Sequence, residues 1–295
     1  MGTKEFRLSG PIAEDLGGGG ERFVPRGSVD DTALEHLHRY LACSDLVRGK
    51  RVLDVACGEG YGTALLAQSG ASEIFGVDVS PQVVDHAVRT HGQWATFSVG
   101  DALNLPVGDG SVDVVVSFET IEHLRDQRLF VSEVDRVLAR DGIFICSTPN
   151  RDVYSYARGG VPNPFHIEEM NLDQFRAMLA KHFPTIAFFG QEIIYGSAIW
   201  SLEDGASSEA VSFLSNPSLS RVRKQAGRPP TYHIAVAAKS AERAVIPPST
   251  LSVDVLTNPV SALLGGIAER DSEILRLRTE LARRPPAPMG DGVSP

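Results

Sequence analysis

Between residues 51 and 147 short apolar runs alternate with helix-patterned segments, and this alternation restricts the fold more than any other feature of the chain. Arg51–Ala56 reads as a short apolar strand, and after a glycine-rich turn Tyr61–Gln68 reads as a helix. Glu73–Val79 is a second strand. Pro81 then opens a helix to about Thr90, because proline lacks an N–H that the first helical turn would leave unpaired anyway. Ala95–Val99, Val112–Ser117 and Gly142–Ser147 are further strands, with a helix over Leu129–Ala139 before the last of them. Val112–Ser117 is almost wholly apolar, as a strand buried on both faces must be. Repeated strand–helix–strand units imply a parallel sheet covered by helices.

The flanks are patterned less strongly. Residues 30–47 have helical spacing, with Leu34, Leu37, Leu41 and Leu46 along one side and Asp30 and Asp31 at the N-terminus. Residues 149–170 read as a loop containing Pro149, Pro162 and Pro164. Leu172–Lys181 is a helix, and Phe183–Phe189 and His233–Ala238 are late strands. The stretch 191–230 between them is expected to cover a substrate as a lid. The layout is therefore a flexible tail over 1–20, one α/β domain over 21–240, a linker over 241–260, a short helix over 261–284 and a disordered proline-rich tail over 285–295. Leu263, Ile267, Ile274, Leu277 and Leu281 fit a seven-residue spacing, so this helical extension is a candidate contact for a homo-oligomer.

Charge and cysteine content narrow the function classes. The net charge is −9 and no Lys/Arg run occurs, so neither nucleic acid nor an anionic membrane is an expected partner. Three cysteines without CxxC spacing argue against a zinc site or a disulfide framework. No apolar run is long enough to span a bilayer and no signal-peptide pattern is visible, so a cytoplasmic location is expected.

The first strand runs into Cys57-Gly58-Glu59-Gly60-Tyr61-Gly62. Glycines here let a backbone approach a ligand closely, although an ordinary tight turn would look similar. Acidic residues at the strand ends sharpen the reading. Asp54 lies beside the glycines, Asp78 ends the second strand where a carboxylate can accept hydrogen bonds from ribose hydroxyls, and Asp101 follows the third. The spacing Gly58-x-Gly60-x-Gly62 is not GxGxxG, and no Gly-Lys-Ser/Thr follows, which disfavours a nicotinamide dinucleotide or a nucleoside triphosphate.

This ordered set resembles the class I S-adenosylmethionine (SAM)-dependent methyltransferases over about residues 20–240. The resemblance implies a Rossmann-like, seven-stranded sheet whose last strand is antiparallel, flanked by helices. It also implies roles: Asp54, Ala56, Gly58 and Gly60 around the methionine part of SAM, Asp78 on the ribose hydroxyls, Val79 packed on adenine, Asp101 and Ala102 on the adenine edge, and Phe118 near the sulfonium. Ala56 stands where the family often has a glycine.

After the fourth strand comes Phe118-Glu119-Thr120-Ile121-Glu122-His123-Leu124. Ligands of open α/β sheets bind beyond the carboxyl ends of the strands, so chemistry is expected here. If a helix starts at once, Glu119, Glu122 and His123 share a face. One reading is that the glutamates favour the positive helix end and pair with Arg125 or Arg128. The other is a divalent metal site, Mg²⁺ or Mn²⁺, with a fourth ligand from Asn163-Pro164-Phe165-His166. The segment is similar to that of the small-RNA 3′-terminal 2′-O-methyltransferases and of ubiquinone-pathway O-methyltransferases. The former resemblance implies Glu119, Glu122, His123 and His166 as ligands. His123, or a carboxylate on the metal, then takes a proton from the acceptor hydroxyl; without a metal His123 can act as the base alone.

Beyond these motifs, Glu21-Arg22-Phe23-Val24-Pro25, Glu35-His36-Leu37-His38-Arg39-Tyr40, Ser147-Thr148-Pro149-Asn150 and the run NPFHIEE resemble bacterial methyltransferases of polysaccharide and glycosylated natural-product pathways. The resemblance implies O-methylation of a sugar or glycosylated small molecule. Arg39 and Tyr40 either close over SAM or belong to an amphipathic helix packed on the sheet. Methylation of another small molecule, or a noncatalytic SAM-binding scaffold, are the alternatives.

Overall fold

A computed structural model of the chain describes residues 31–154, 161–193, 197–202, 211–215, 222–226, 229–240 and 250–252. The N-terminal tail, the 261–284 helix and the C-terminal tail expected from the sequence lie outside these residues. The helices are α1 (Asp31–Ala42), α2 (Tyr61–Gln68), α3 (Pro81–His91), α4 (Gln127–Val137) and α5 (Leu172–Leu179). The strands are β1 (Arg51–Val55), β2 (Glu73–Asp78), β3 (Thr96–Val99), β4 (Val112–Phe118), β5 (Leu138–Pro149), β6 (Thr185–Ile193), β7 (Ser197–Ser201), β8 (Val211–Ser215), β9 (Val222–Ala226), β10 (Tyr232–Ala238) and β11 (Thr250–Ser252).

The main sheet has the order β11-β7-β6-β10-β5-β4-β1-β2-β3. Strands β1 to β5 pair in parallel. β10 enters antiparallel between β5 and β6, with Ile234 opposite both Ser147 and Phe189. The seven strands from β6 to β3 therefore form the expected Rossmann-like sheet. Successive residues of each central strand supply opposite faces, because side chains alternate across a strand. Leu53, Val115, Phe144 and Phe188 pack with α4 and α5, whereas Val52, Val114, Ile145 and Phe189 pack with α1 and α2. Helix starts are fixed by local chemistry. Asp126 accepts from the Leu129 amide at 2.9 Å to cap α4, and Asn171 and Gln174 bond reciprocally as a capping box on α5.

Two strands more than expected extend the sheet. β7 pairs antiparallel with β6 from Phe189↔Ser201 to Ile193↔Ser197, and β11 pairs with β7. The segment 197–201 was expected within the lid, but it satisfies the open backbone edge of β6 instead, on the side of the sheet away from β4. Likewise Thr250–Ser252, expected as linker, is a strand. β8 and β9 form a separate antiparallel pair. Among the described residues no helix is long and apolar enough to cross a membrane.

Candidate active site

The carboxyl ends of β1, β2 and β4 and the turn after β3 surround a cavity of about 360 Å³. β1 leaves the sheet through a left-handed turn, with Ala56, Gly58 and Gly60 at φ 58°, 54° and 82°. Alanine in this region is strained, so the position where a first glycine is common still demands glycine-like backbone geometry here. The glycines divide their work. A Cβ on Gly58, which lines the cavity, would meet nothing within 4 Å, whereas a Cβ on Gly60 would strike Phe97 and one on Gly62 would strike the Tyr40 ring. Gly60 and Gly62 thus admit protein rings, and Gly58 leaves room for a ligand.

The acidic strand ends hold this turn. Asp78 accepts from the Gly58 amide at 3.0 Å and the Ser80 amide at 2.9 Å, and lines the cavity. Asp101 accepts from the Leu103 amide at 2.8 Å and lines it too. Val79 is 72% exposed beside Ala102, a flat apolar wall open to a ring. Phe118 and Tyr40 close the inner end, edge to face at 5.0 Å. Asp54 is different: fully buried, it accepts from Thr63 Oγ1 at 2.6 Å and Tyr40 Oη at 3.2 Å. Burial pushes its carboxyl up to about 7, against those two bonds. It supports the turn and the Tyr40 ring from behind the cavity rather than lining it.

Beyond Phe118 the chain does not start an α-helix. Glu119 sits at φ 50°, and only a short 3-10 turn, Ile121–His123, follows. The shared face expected for Glu119, Glu122 and His123 is therefore broken. Glu122, His123 and His166 come together, each with a ligand-type atom within 4.8 Å of the others. Glu119 falls outside that group. Its Oε1 accepts from Ser147 Oγ at 2.6 Å and lies 3.7 Å from Arg39 Nη1. The loop carrying His166 is tied across by the Ile167 and Glu168 amides, which donate to the Glu122 carbonyl at 2.8 and 3.2 Å.

The three side chains fit a divalent cation. Glu122 is fully buried; Oε2 accepts from Thr148 Oγ1 at 3.2 Å, but Oε1 has no hydrogen-bond partner. Burial, reinforced by the charge of Glu119, pushes its carboxyl well above the usual carboxylate range. His123 Nδ1 donates to the Phe165 carbonyl at 3.0 Å, so Nε2 is the nitrogen turned to the group, 3.9 Å from Glu122 Oε1. His166 Nδ1 donates to Glu169 at 2.6 Å, and its Nε2 is 3.1 Å from Asn163 Nδ2. Tying Nδ1 to a carbonyl or carboxylate is how proteins present Nε2 to a metal.

Arg39 does not reach the cavity. It is 1% exposed, with Nε donating to Gln191 at 2.6 Å and its guanidinium 4.4 Å above the Tyr232 ring. Burial opposes its charge, but Glu119, Tyr232 and Glu35 outweigh burial and hold it protonated. Of the two residues of α1, Tyr40 lines the cavity and Arg39 packs in the interior. Packing here is also polar, since Tyr232 Oη donates to Glu35 at 2.9 Å and Gln191 to the Glu35 carbonyl at 3.0 Å. Sequence reasoning missed Gln191 and Tyr232, which lie in late strands far from α1. It also missed His36, which lines the cavity and bonds Tyr61 Oη at 3.0 Å. The helical period of α1, which places His36 one turn from Tyr40, was the available signal.

Comparisons with known proteins bear on the domain that carries this cavity. The methyltransferase-domain family matches residues 53–146. A probable S-adenosylmethionine-dependent methyltransferase of Mycolicibacterium smegmatis is 40% identical over 54% of this chain and 62% of its own length. A ubiquinone biosynthesis O-methyltransferase of Azorhizobium caulinodans is 33% identical over 45% of this chain and 54% of its own. The chain thus spans less than two thirds of the length of these curated relatives. The solved structure of the YcgJ protein from Bacillus subtilis superposes with a TM-score of 0.50 at 20% identity, covering 74% of this chain and all of that one, and it shares the fold. The glycine turn, the acidic strand ends and the seven-stranded order thus accompany a match of residues 53–146 to the methyltransferase-domain family.

Proposed function

We propose that the chain transfers the methyl group of SAM to a hydroxyl of a sugar or glycosylated small molecule, with a divalent cation at the acceptor. One observation carries the reading: His123 belongs both to the wall of the cavity and to the Glu122–His123–His166 group, which supports a cation beside the cofactor. The name of the ubiquinone-pathway relative supports an oxygen acceptor. The net charge of −9 supports a small or glycan acceptor over RNA.

In this reading Asp78 keeps its grip on Gly58 and Ser80 and turns its remaining lone pairs to the ribose hydroxyls. Val79 and Ala102 cover the adenine, Asp101 meets its edge, and Phe118 with Tyr40 shapes the inner end around the sulfonium. Glu122, His123 and His166 would hold the cation, which when bound lowers the pKa of a hydroxyl and fixes its position. The loop 161–170 is fastened to Glu122 by two amides and fixes where the acceptor can enter. Without a cation, His123 Nε2 is the nitrogen that takes the hydroxyl proton. The transfer itself relies on in-line placement of the two substrates.

Calorimetric titration with SAM, followed by S-adenosylhomocysteine release on a panel of glycosides with and without EDTA, tests this. SAM binding with EDTA-sensitive turnover on glycosides is expected. Full turnover in EDTA would remove the cation, and turnover confined to amines would remove the hydroxyl acceptor.

A further inference from the structure

We infer that the cation position is built from three protein ligands, not four, and favours an ion that accepts nitrogen ligands, such as Mn²⁺, Co²⁺ or Zn²⁺, over Mg²⁺, because Ser147 and Arg39 hold Glu119 off it. The inference rests on the cation proposed above and refines it. Three observations combine. Ser147 Oγ clasps Glu119 at two points, accepting from its amide at 3.2 Å and donating to its Oε1 at 2.6 Å. The same serine therefore fixes both the carboxylate and the left-handed backbone at φ 50°.

Arg39 adds a second hold. Its guanidinium is fully enclosed and oriented by Gln191 and Tyr232, and Nη1 and Nη2 have no hydrogen-bond partner. Glu119, at 3.7 Å, contributes most to balancing this charge, ahead of Glu35. Turning Glu119 toward a cation would take from a buried arginine its ion-pair partner, leaving only the weaker influence of Glu35, which is a costly change. Glu122 has the opposite standing, since its Oε1 is buried and lacks a partner. One carboxylate is already engaged and the other is available.

The ligand set follows. Two imidazole nitrogens beside one carboxylate oxygen suit Co²⁺ and Zn²⁺ and are tolerated by Mn²⁺, whereas Mg²⁺ prefers oxygen ligands and retained water. Three ligands also leave more open positions for acceptor oxygens than four would.

Mn²⁺ binding to the full chain, followed by electron paramagnetic resonance, tests the inference without any turnover. Wild type should bind one Mn²⁺, and Mg²⁺ at about tenfold excess should displace little of it. Glu119→Gln should keep Mn²⁺ affinity within about threefold, while Glu122→Gln should lose about 100-fold or more. His166→Asn provides the same loss if Glu122→Gln fails to fold. A loss in Glu119→Gln as large as in Glu122→Gln would overturn the three-ligand set, and displacement by equimolar Mg²⁺ would overturn the ion preference. Absence of Mn²⁺ binding in a wild-type chain that still binds SAM would instead overturn the cation itself.

Discussion

The two sides of the cleft are built on opposite terms. On the cofactor side Asp54, Asp78 and Asp101 each have hydrogen-bond donors already in place. Around Glu122 the pairing is incomplete, since Oε2 accepts from Thr148 but Oε1 has no hydrogen-bond partner. Among the described residues, the buried side-chain atoms without a hydrogen-bond partner are Arg39 Nη1 and Nη2, Ser117 Oγ, Glu122 Oε1 and His233 Nδ1. All lie on α1, β4, β10 or the turn after β4. Buried polar atoms are rarely left unpaired without a reason. The glycine turn is a finished socket supported by its own carboxylates, whereas Glu122 keeps one buried oxygen open. Each side also contains one non-glycine residue at positive φ, Ala56 and Glu119, where backbone strain is held by its surroundings.

If the two sides are separable, substitutions should split their effects. The largest split is expected for Glu122→Gln, which should lower turnover by about 100-fold or more while SAM affinity stays within about twofold. An equal loss of SAM affinity in calorimetry would mean the two sides are one. Next, Asp78→Ala removes charged hydrogen bonds to the turn and to the ligand, so SAM affinity should fall by roughly 10- to 100-fold. Mn²⁺ affinity measured on the same variant should not move. Gly62→Ala drives a methyl into the Tyr40 ring and should cost about 1–3 kcal/mol, read as a lower denaturation midpoint. An unchanged midpoint would show that Tyr40 is free to move, and the cofactor side would be softer than described.

The smallest effect concerns pH. Burial holds the imidazoles of His38 and His233 down at about 4, and for His38 the neighbouring Arg39 adds to it. Between about pH 6.5 and 4 the unfolded chain therefore binds more protons than the folded one, and stability falls as pH drops through that window. His233→Asn should make the fall shallower in midpoint-versus-pH curves. Parallel curves would leave the acceptor-side strand β10 without a titrating partner.

The same division explains what was legible in the sequence. The cofactor side is local: each strand end carries its acidic residue within a few positions of an apolar run, so Asp54, Asp78 and Asp101 could be placed from periodicity alone. The acceptor side depends on contacts distant in sequence. His166 meets Glu122 across an irregular loop, and Arg39 meets Gln191 and Tyr232 across most of the domain. Helical spacing put Glu119 beside Glu122, but the chain takes a left-handed step at Glu119 that no propensity in FETIEHL announces. β7 escaped notice because a strand completing an edge needs only a partner backbone, and the one it found belongs to β6.

The antiparallel insertion of β10 has a consequence for how the chain reaches this state. Strands β1 to β5 come from one continuous stretch, and β6 and β7 pair as neighbours, so both groups can assemble as their residues become available. β10 must then enter between β5 and β6, pairing Thr148 with His233 and Gly190 with the same residue. Until it does, two apolar strand edges stay open, which is the condition under which partly made chains stick to one another. A chain interrupted before Tyr232 would still contain the whole cofactor turn, yet it would present those edges to solvent. Recovery of soluble protein, more than any property of the ligand sites, should therefore depend on the seven residues of this late strand.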